Sequence, residues 1–129
     1  MSQTEACPCG SALAYADCCG RYHAGIDTPP DAASLMRSRY SAYVRKLEAY
    51  LRATWHPDTC PDELGLDAAP QPQWLGLQVK ATQMQEDSHA TVEFVARYKL
   101  NGRAFKLHEV SRFERVSERW LYVDGDIRE

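Results

Sequence analysis

The sequence predicts an α+β fold, with helices packed on one face of a curved antiparallel sheet behind a small cysteine-rich N-terminal segment. Three observations predict it. Four of the five cysteines crowd into residues 7–20. An apolar period of 3.6 residues runs through the stretch after Asp31, and from Trp74 onward the period becomes two. Helices first and a strand meander afterwards is the order of an α+β domain. A chain of 129 residues has the length of one domain with a small appended module. The Pro-rich break "DTPPD" divides it into 1–26 and 27–129.

The first segment reads "CPCGSALAYADCCG", a C-x-C-x8-C-C pattern of Cys7, Cys9, Cys18 and Cys19. Residues 1–26 hold too few large apolar side chains for a core, and such a segment folds only around a staple. A disulfide between the adjacent Cys18 and Cys19 needs a distorted peptide, and a redox C-x-x-C is absent. The start "MSQTEA" is polar and no apolar run reaches the length of a membrane span, so the expected compartment is a reducing cytoplasm, where clustered cysteines serve metals or redox chemistry more than staples. Metal binding is the reading that the spacing favours, with Zn2+ on the four sulfurs and His23 as an alternative to one of them. Gly10 and Gly20 follow the two pairs and let the backbone curl around the metal. Four protein ligands leave no position for an activated water, so this zinc is expected to be structural.

Asp31, or Thr28 ahead of Pro29, is placed to cap the helix that follows. In "AASLMRSRYSAYVRKLEAYLRATWHP" the residues Met36, Tyr40, Tyr43, Val44, Leu47 and Leu51 keep the helical period, while Arg37, Ser41, Arg45, Lys46 and Arg52 fall mainly off it. One long helix or two bent near Lys46 satisfy the pattern, and Pro57 ends it. Residues 58–73 read as loop, with a turn of helix around Asp62 to Leu66. "WLGLQVKATQ" then puts Leu75, Leu77, Val79 and Ala81 on one face, and "HATVEFVARYKL" sets Val92, Phe94, Ala96 and Tyr98 against Glu93, Val95 and Arg97. "NGR" is a hairpin turn. Two more strands follow, joined by a turn at Ser117 and Glu118.

A formal charge of −3 argues against bulk attraction to nucleic acid or anionic lipid. The basic residues are eleven arginines against four lysines, which favours forked contacts to carboxylates or phosphates. The polar groups able to reach a cavity between sheet and helix are His56, Glu93, Arg97, Glu109, Arg112, Tyr122 and Asp124, with His108 beside them. A carboxylate can orient an imidazole for proton transfer. Strand parity admits only one of His108 and Glu109 to the interior, and Asp124 follows Trp120 and Tyr122 there if these face inward. The plainer expectations are ion pairs, Glu93 with Arg97 and Glu109 with Arg112 or a neighbouring strand. Trp55, Trp74 and Trp120 are expected in the core, and His56 as a helix-end cation. Arg37, Arg39, Arg45, Lys46 and Arg52 read as a solvated flank. Cys60 is given no role.

"CPCGSALAYADCCG" resembles the SEC-C zinc motif, found also at the C-terminus of the preprotein translocase ATPase. "LMRSRYSAYV…ATWHP…WLGL…VEFVARY…HEVSRF…RWLYVDGD" resembles the YchJ family of bacterial proteins of unknown function. The resemblance spans nearly the whole chain. It implies a nuclear-transport-factor-2-like, or cystatin-like, cone for the second segment and zinc on Cys7, Cys9, Cys18 and Cys19. Longer relatives carry a second cysteine motif after the domain, which the residues up to Glu129 do not show. The leading expectation is therefore a zinc-stapled adaptor. Its knuckle would meet a protein partner, associated with export or the ribosome by analogy with the translocase motif, and its cone a small-molecule ligand or second partner. The alternatives are an isomerase, dehydratase or hydrolase in the cone, and a weak nucleic-acid binder.

Overall fold

The computed structural model describes residues 6–66 and 71–128. Met1–Glu5, residues 67–70 and Glu129 lie outside the described residues, and with them the outer ends of the two expected segments and part of the expected 58–73 loop. Among the described residues, three helices precede one antiparallel sheet. They are α1 (Cys19–His23), α2 (Ala32–Arg45) and α3 (Glu48–Ala53), and a short 3-10 turn at Tyr15–Asp17 leads into α1. Strands β1 (Gln73–Glu86), β2 (His89–Leu100), β3 (Arg103–Val116) and β4 (Arg119–Arg128) form a meander in the order β1-β2-β3-β4. The expected α+β class is the observed one.

Asp31 is the cap of α2. Its side chain accepts from the Ser34 backbone N–H at 2.8 Å, satisfying one orphan donor of the first turn. Of the two helical arrangements, the bent one occurs. Lys46 turns left-handed at φ 59° and closes α2 with backbone bonds to Ala42 and Tyr43 before α3 begins. Residues Asp62–Leu66 contain no helix.

The central pair β2–β3 is in regular register over its whole length, from His89 opposite Glu114 to Leu100 opposite Arg103. Both hairpin turns flanking β3 and β4 hold two successive positive φ values, 53° and 82° at Asn101–Gly102 and 51° and 67° at Ser117–Glu118. That is the mirror-image turn whose twist matches the strands. The outer strands are irregular. β1 carries register shifts at Leu75, Lys80 and Gln85, each inserting one residue opposite β2, and β4 carries one at Val123. Each extra residue reverses the alternation beyond it. Hence Leu77 and Val79 face the helices, as alternation alone predicts, but Leu75 is left 49% exposed and Ala81 is exposed on the other side. Trp74, beyond the first bulge, takes the inward position.

α2 packs against β1, β2 and β4. Leu35, Met36 and Tyr40 meet Val92, Phe94, Ala96, Phe113 and Trp120 in one buried cluster that also contains all four clustered cysteines. Burial extends around α2. Ser38, Arg39 and Ser41 are buried with the apolar stripe, because the cysteine segment and α3 cover the helix on the sides the sheet leaves open. Expecting Ser41 off the stripe and Arg39 in solvent failed for that reason.

Candidate metal centre and cavity

The cysteine segment closes on itself. The Cys7 N–H donates to the Leu13 carbonyl at 2.9 Å, and Gly10 turns the chain at φ 83°, where a side chain is strained. Gly20 is required for a different reason. A Cβ there would lie 2.6 Å from the Tyr15 carbonyl oxygen and 2.9 Å from its ring, so the start of α1 sits directly on Tyr15. This brings Cys7, Cys9, Cys18 and Cys19 together, all buried and none in a disulfide, with every sulfur within 4.8 Å of the others. Cys9 and Cys18 lie 3.6 Å apart, and Cys18 and Cys19 4.0 Å. A tetrahedron with metal–sulfur bonds of about 2.3 Å has corners about 3.8 Å apart. The four sulfurs therefore fit one tetrahedral ion.

Their electrostatics suit a cation. A hydrogen bond from the Cys19 thiol, opposed by burial, pushes Cys9 down to about 4, the direction that favours the thiolate a metal needs. The same bond, with burial, pushes Cys19 up, and burial raises Cys18. Hydroxyls stand ready to solvate the sulfurs, Ser11 at 3.1 Å from Cys18 and Ser41 at 3.5 Å from Cys7. Partners of this kind orient ligands and tune a metal. Ser41 belongs to α2, and Arg37 of the same helix donates to the Cys9 carbonyl at 3.0 Å. Arg45 lies over the Tyr15 ring at 4.1 Å. Two residues expected to be a solvated flank thus clamp the cysteine segment to the helix. His23 stands apart from the sulfur cluster. Its Nε2 donates to the Ser38 carbonyl at 2.8 Å while Nδ1 accepts from the Tyr15 hydroxyl at 2.5 Å. Burial lowers its pKa, so the ring is a neutral strut between α1 and α2.

A cavity of about 230 Å³ lies between α2 and the inner face of the sheet. Met36, Trp74, Phe94, Ala96 and Leu107 supply its apolar wall, and Arg39, Tyr40, Tyr43, Glu109, Ser111 and Tyr122 its polar one. Arg39 is only 3% exposed. Its Nη1 donates to the Leu51 carbonyl at 2.9 Å and to Thr54 Oγ1 at 2.7 Å, and the guanidinium lies 4.7 Å from the Trp55 ring centre and 4.6 Å from that of Tyr122. Glu109 accepts from Ser111 at 2.6 Å and from the Tyr122 hydroxyl at 3.3 Å. Gly125, opposite Ser111, leaves room for it, since a Cβ there would overlap the carboxylate. Burial, then the Glu109 charge, raises the Tyr122 pKa, and burial raises that of Tyr43.

Of the residues that the sequence nominates for a cavity, Glu109 and Tyr122 line it. The other five stand outside it. Glu93 points to the outer face, where it meets His108 Nε2 at 2.6 Å rather than Arg97. Arg97 lines a shallow outer groove with Leu75 and Lys106. Arg112 binds Asp124 at 2.5 Å and Asp126 at 2.7 Å, not Glu109. Asp124 parts from Tyr122 because the bulge at Val123 intervenes: Phe113 pairs with Tyr122 but Arg112 with Asp124, so the two residues of β4 face opposite ways. His56 closes the free edge of β4, with backbone bonds of 2.8 Å from its N–H to the Tyr122 carbonyl and from the Tyr122 N–H to the Thr54 carbonyl, and its ring reaches Glu114 at 3.1 Å. Among the polar lining residues that the sequence did not nominate, Tyr40, Tyr43, Ser111 and Arg39, the charged one is Arg39. Its spacing held the signal, because three residues after Met36 and four before Tyr43 is the apolar stripe itself. Trp74, expected in the core, forms cavity wall.

Comparison with known proteins matches both segments. Residues 31–125 match the model described as the YchJ middle NTF2-like domain, and residues 4–21 the SEC-C motif. A UPF0225 protein of Bordetella parapertussis is 61% identical over 129 residues, covering 98% of this chain and 96% of its own length. One of Xanthomonas campestris is 50% identical, covering 95% of each. Among solved structures, a SEC-C motif containing protein from Rhodopseudomonas palustris superimposes with a TM-score of 0.85 at 32% identity, over 96% of this chain and 99% of that one. Another from Psychrobacter arcticus gives 0.83 at 29% identity, over 97% and 84%. No helix among the described residues is long and apolar enough to cross a membrane. With a SEC-C motif followed by a YchJ-type middle domain along nearly its whole length, the chain belongs to the YchJ, or UPF0225, family.

Proposed function

We propose that this protein is a zinc-stapled binding module, in which the cysteine segment carries a structural ion and meets a protein partner while the cavity of the cone holds a small ligand. The single observation that carries the reading is the closed set of four buried sulfurs, mutually within 4.8 Å and fixed to α2. Soft, fully thiolate coordination suits zinc, and four protein ligands leave no open position for chemistry. Such an ion stabilises the surface built around it. The segment exposes Leu13 at 52% and Ile26 at 74%, apolar area that a partner could cover. A reducing cytoplasm is the compartment in which this chemistry is coherent.

An enzymatic reading loses its support from histidine, because the His108–Glu93 pair lies on the outer face and His56 braces the edge of β4. Zinc measured per chain on the protein as isolated should be one equivalent, and a folded protein without it would end the zinc assignment. The sulfurs are part of the shared core, so cysteine variants cannot isolate the partner role. Capture from bacterial lysate should instead compare the intact protein with Leu13→Glu and Ile26→Glu. The expected result is loss of a specific partner with zinc and fold retained. Identical capture by all three would overturn the adaptor role.

A further inference from the structure

We infer that the cavity takes an amphoteric small molecule with an apolar body, the chemistry of an α-amino acid with a large apolar or aromatic side chain, its carboxylate on Arg39 and its ammonium on Glu109. This rests on the reading of the cone as a ligand-holding domain and names the class of ligand. A buried charge needs compensation. Among the described residues the Arg39 guanidinium meets only neutral oxygens, the Leu51 carbonyl and the Thr54 hydroxyl from Nη1 and the Tyr43 hydroxyl beside them. The Leu51 and Thr54 bonds both leave from Nη1, and the planar guanidinium has the fork geometry that carboxylates favour. Glu109 likewise accepts only from neutral hydroxyls, those of Ser111 and Tyr122. Two opposite charges thus share one cavity, each partnered by neutral groups.

Tyr122 sets the distance between them. The guanidinium lies over its ring and the carboxylate at its hydroxyl, so the charges stand roughly one tyrosine side chain apart. An amino-acid head group with a hydrogen bond at each end spans such a gap. Beyond it, Trp74, Phe94 and Leu107 offer an apolar wall. At interior packing density a cavity of about 230 Å³ admits a molecule of roughly a dozen non-hydrogen atoms. Gly125 supports a binding role, since β4 gives up a side chain where the Glu109 carboxylate lies.

Three probes on one skeleton test this: L-phenylalanine, 3-phenylpropanoate lacking the ammonium, and phenethylamine lacking the carboxylate. Each is titrated into the full-length, metal-loaded protein, with the Trp74 indole resonance as the reporter. The expected result is saturable binding of L-phenylalanine, with each single-charge probe at least about tenfold weaker. Glu109→Gln, which keeps the shape of the side chain, should abolish the preference for L-phenylalanine over 3-phenylpropanoate without weakening the latter, from which it removes a like-charge repulsion. If either single-charge probe binds as tightly as L-phenylalanine, the amphoteric class is wrong and the cavity remains a ligand site. If none of the three gives a saturable shift, the ligand-holding reading of the cone falls, and this inference with it.

Discussion

Replacing Gly125 by alanine should destabilise the protein through one side chain, Glu109. A Cβ at position 125 falls 2.7 Å from Glu109 Cδ and 2.9 Å from Cγ, well inside the roughly 3.5–4.0 Å of a carbon–carbon contact. The carboxylate can escape only by leaving the hydroxyls of Ser111, at 2.6 Å, and Tyr122, at 3.3 Å. Losing two hydrogen bonds to a charged acceptor costs about 3 kcal/mol, and tolerating the overlap about 1–3 kcal/mol. Alanine recovers about 0.5–1 kcal/mol because it has less backbone freedom to lose in a strand. The net expectation is a loss of about 2 kcal/mol. With Glu109→Ala already in place the obstacle is gone, and the same change should be neutral or slightly stabilising. Urea unfolding of the four proteins of this cycle, analysed at constant slope, measures the coupling, which should be about 2–3 kcal/mol. If Gly125→Ala costs the same in both backgrounds, the carboxylate does not occupy that space.

Arg39→Met should cost about 3 kcal/mol in urea unfolding, because it removes both hydrogen bonds that tie α2 to the end of α3 and the contacts with two rings. Glu118→Gly should stabilise by about 0.5–1 kcal/mol, since its φ of 67° is one that glycine adopts without strain, and a rise in midpoint at unchanged slope is the check. Removing the proposed metal with a chelator should lower the melting of the whole domain as one transition in calorimetry, since the sulfurs and the sheet residues share a core; a separate early transition would contradict this. His23 has its pKa lowered by burial, so the unfolded chain binds the proton first as pH falls through about 6.5. Stability should decline with falling pH in that range, and in a His23→Gln variant, compared by denaturant midpoint between pH 7.5 and 6, the decline should be smaller.

Much of this was legible in the sequence because it depends on local patterns. The cysteine spacing, the Asp31 cap and the turns at Asn101–Gly102 and Ser117–Glu118 are all decided within a few residues, whereas the helical period alone left open whether the chain bends at Lys46. Parity in a regular strand allowed only one of His108 and Glu109 inside, and the structure places Glu109 there. Parity failed wherever an unpaired residue entered β1 or β4, and a bulge leaves no mark in a pattern of alternating residues. That failure exposed Leu75 and separated Asp124 from Tyr122. Arg39 was misjudged because charge was taken as a sign of solvent. Its burial depends on α3, Trp55 and Tyr122 converging on one guanidinium, which is a tertiary fact.

The uneven register of β1 also bears on how such a sheet survives in a crowded solution. Fourteen residues of strand at the border of a sheet present a row of free amides and carbonyls on which another chain could add itself. Three insertions cut that row into short runs of differing phase, so no straight partner can follow it from Gln73 to Glu86. At the opposite border the same hazard is met by occupancy, with Thr54 and His56 taking the groups that Tyr122 would otherwise offer. The two outer strands are thus poor templates, and the regular ladder is kept in the middle, where it is already paired on both sides.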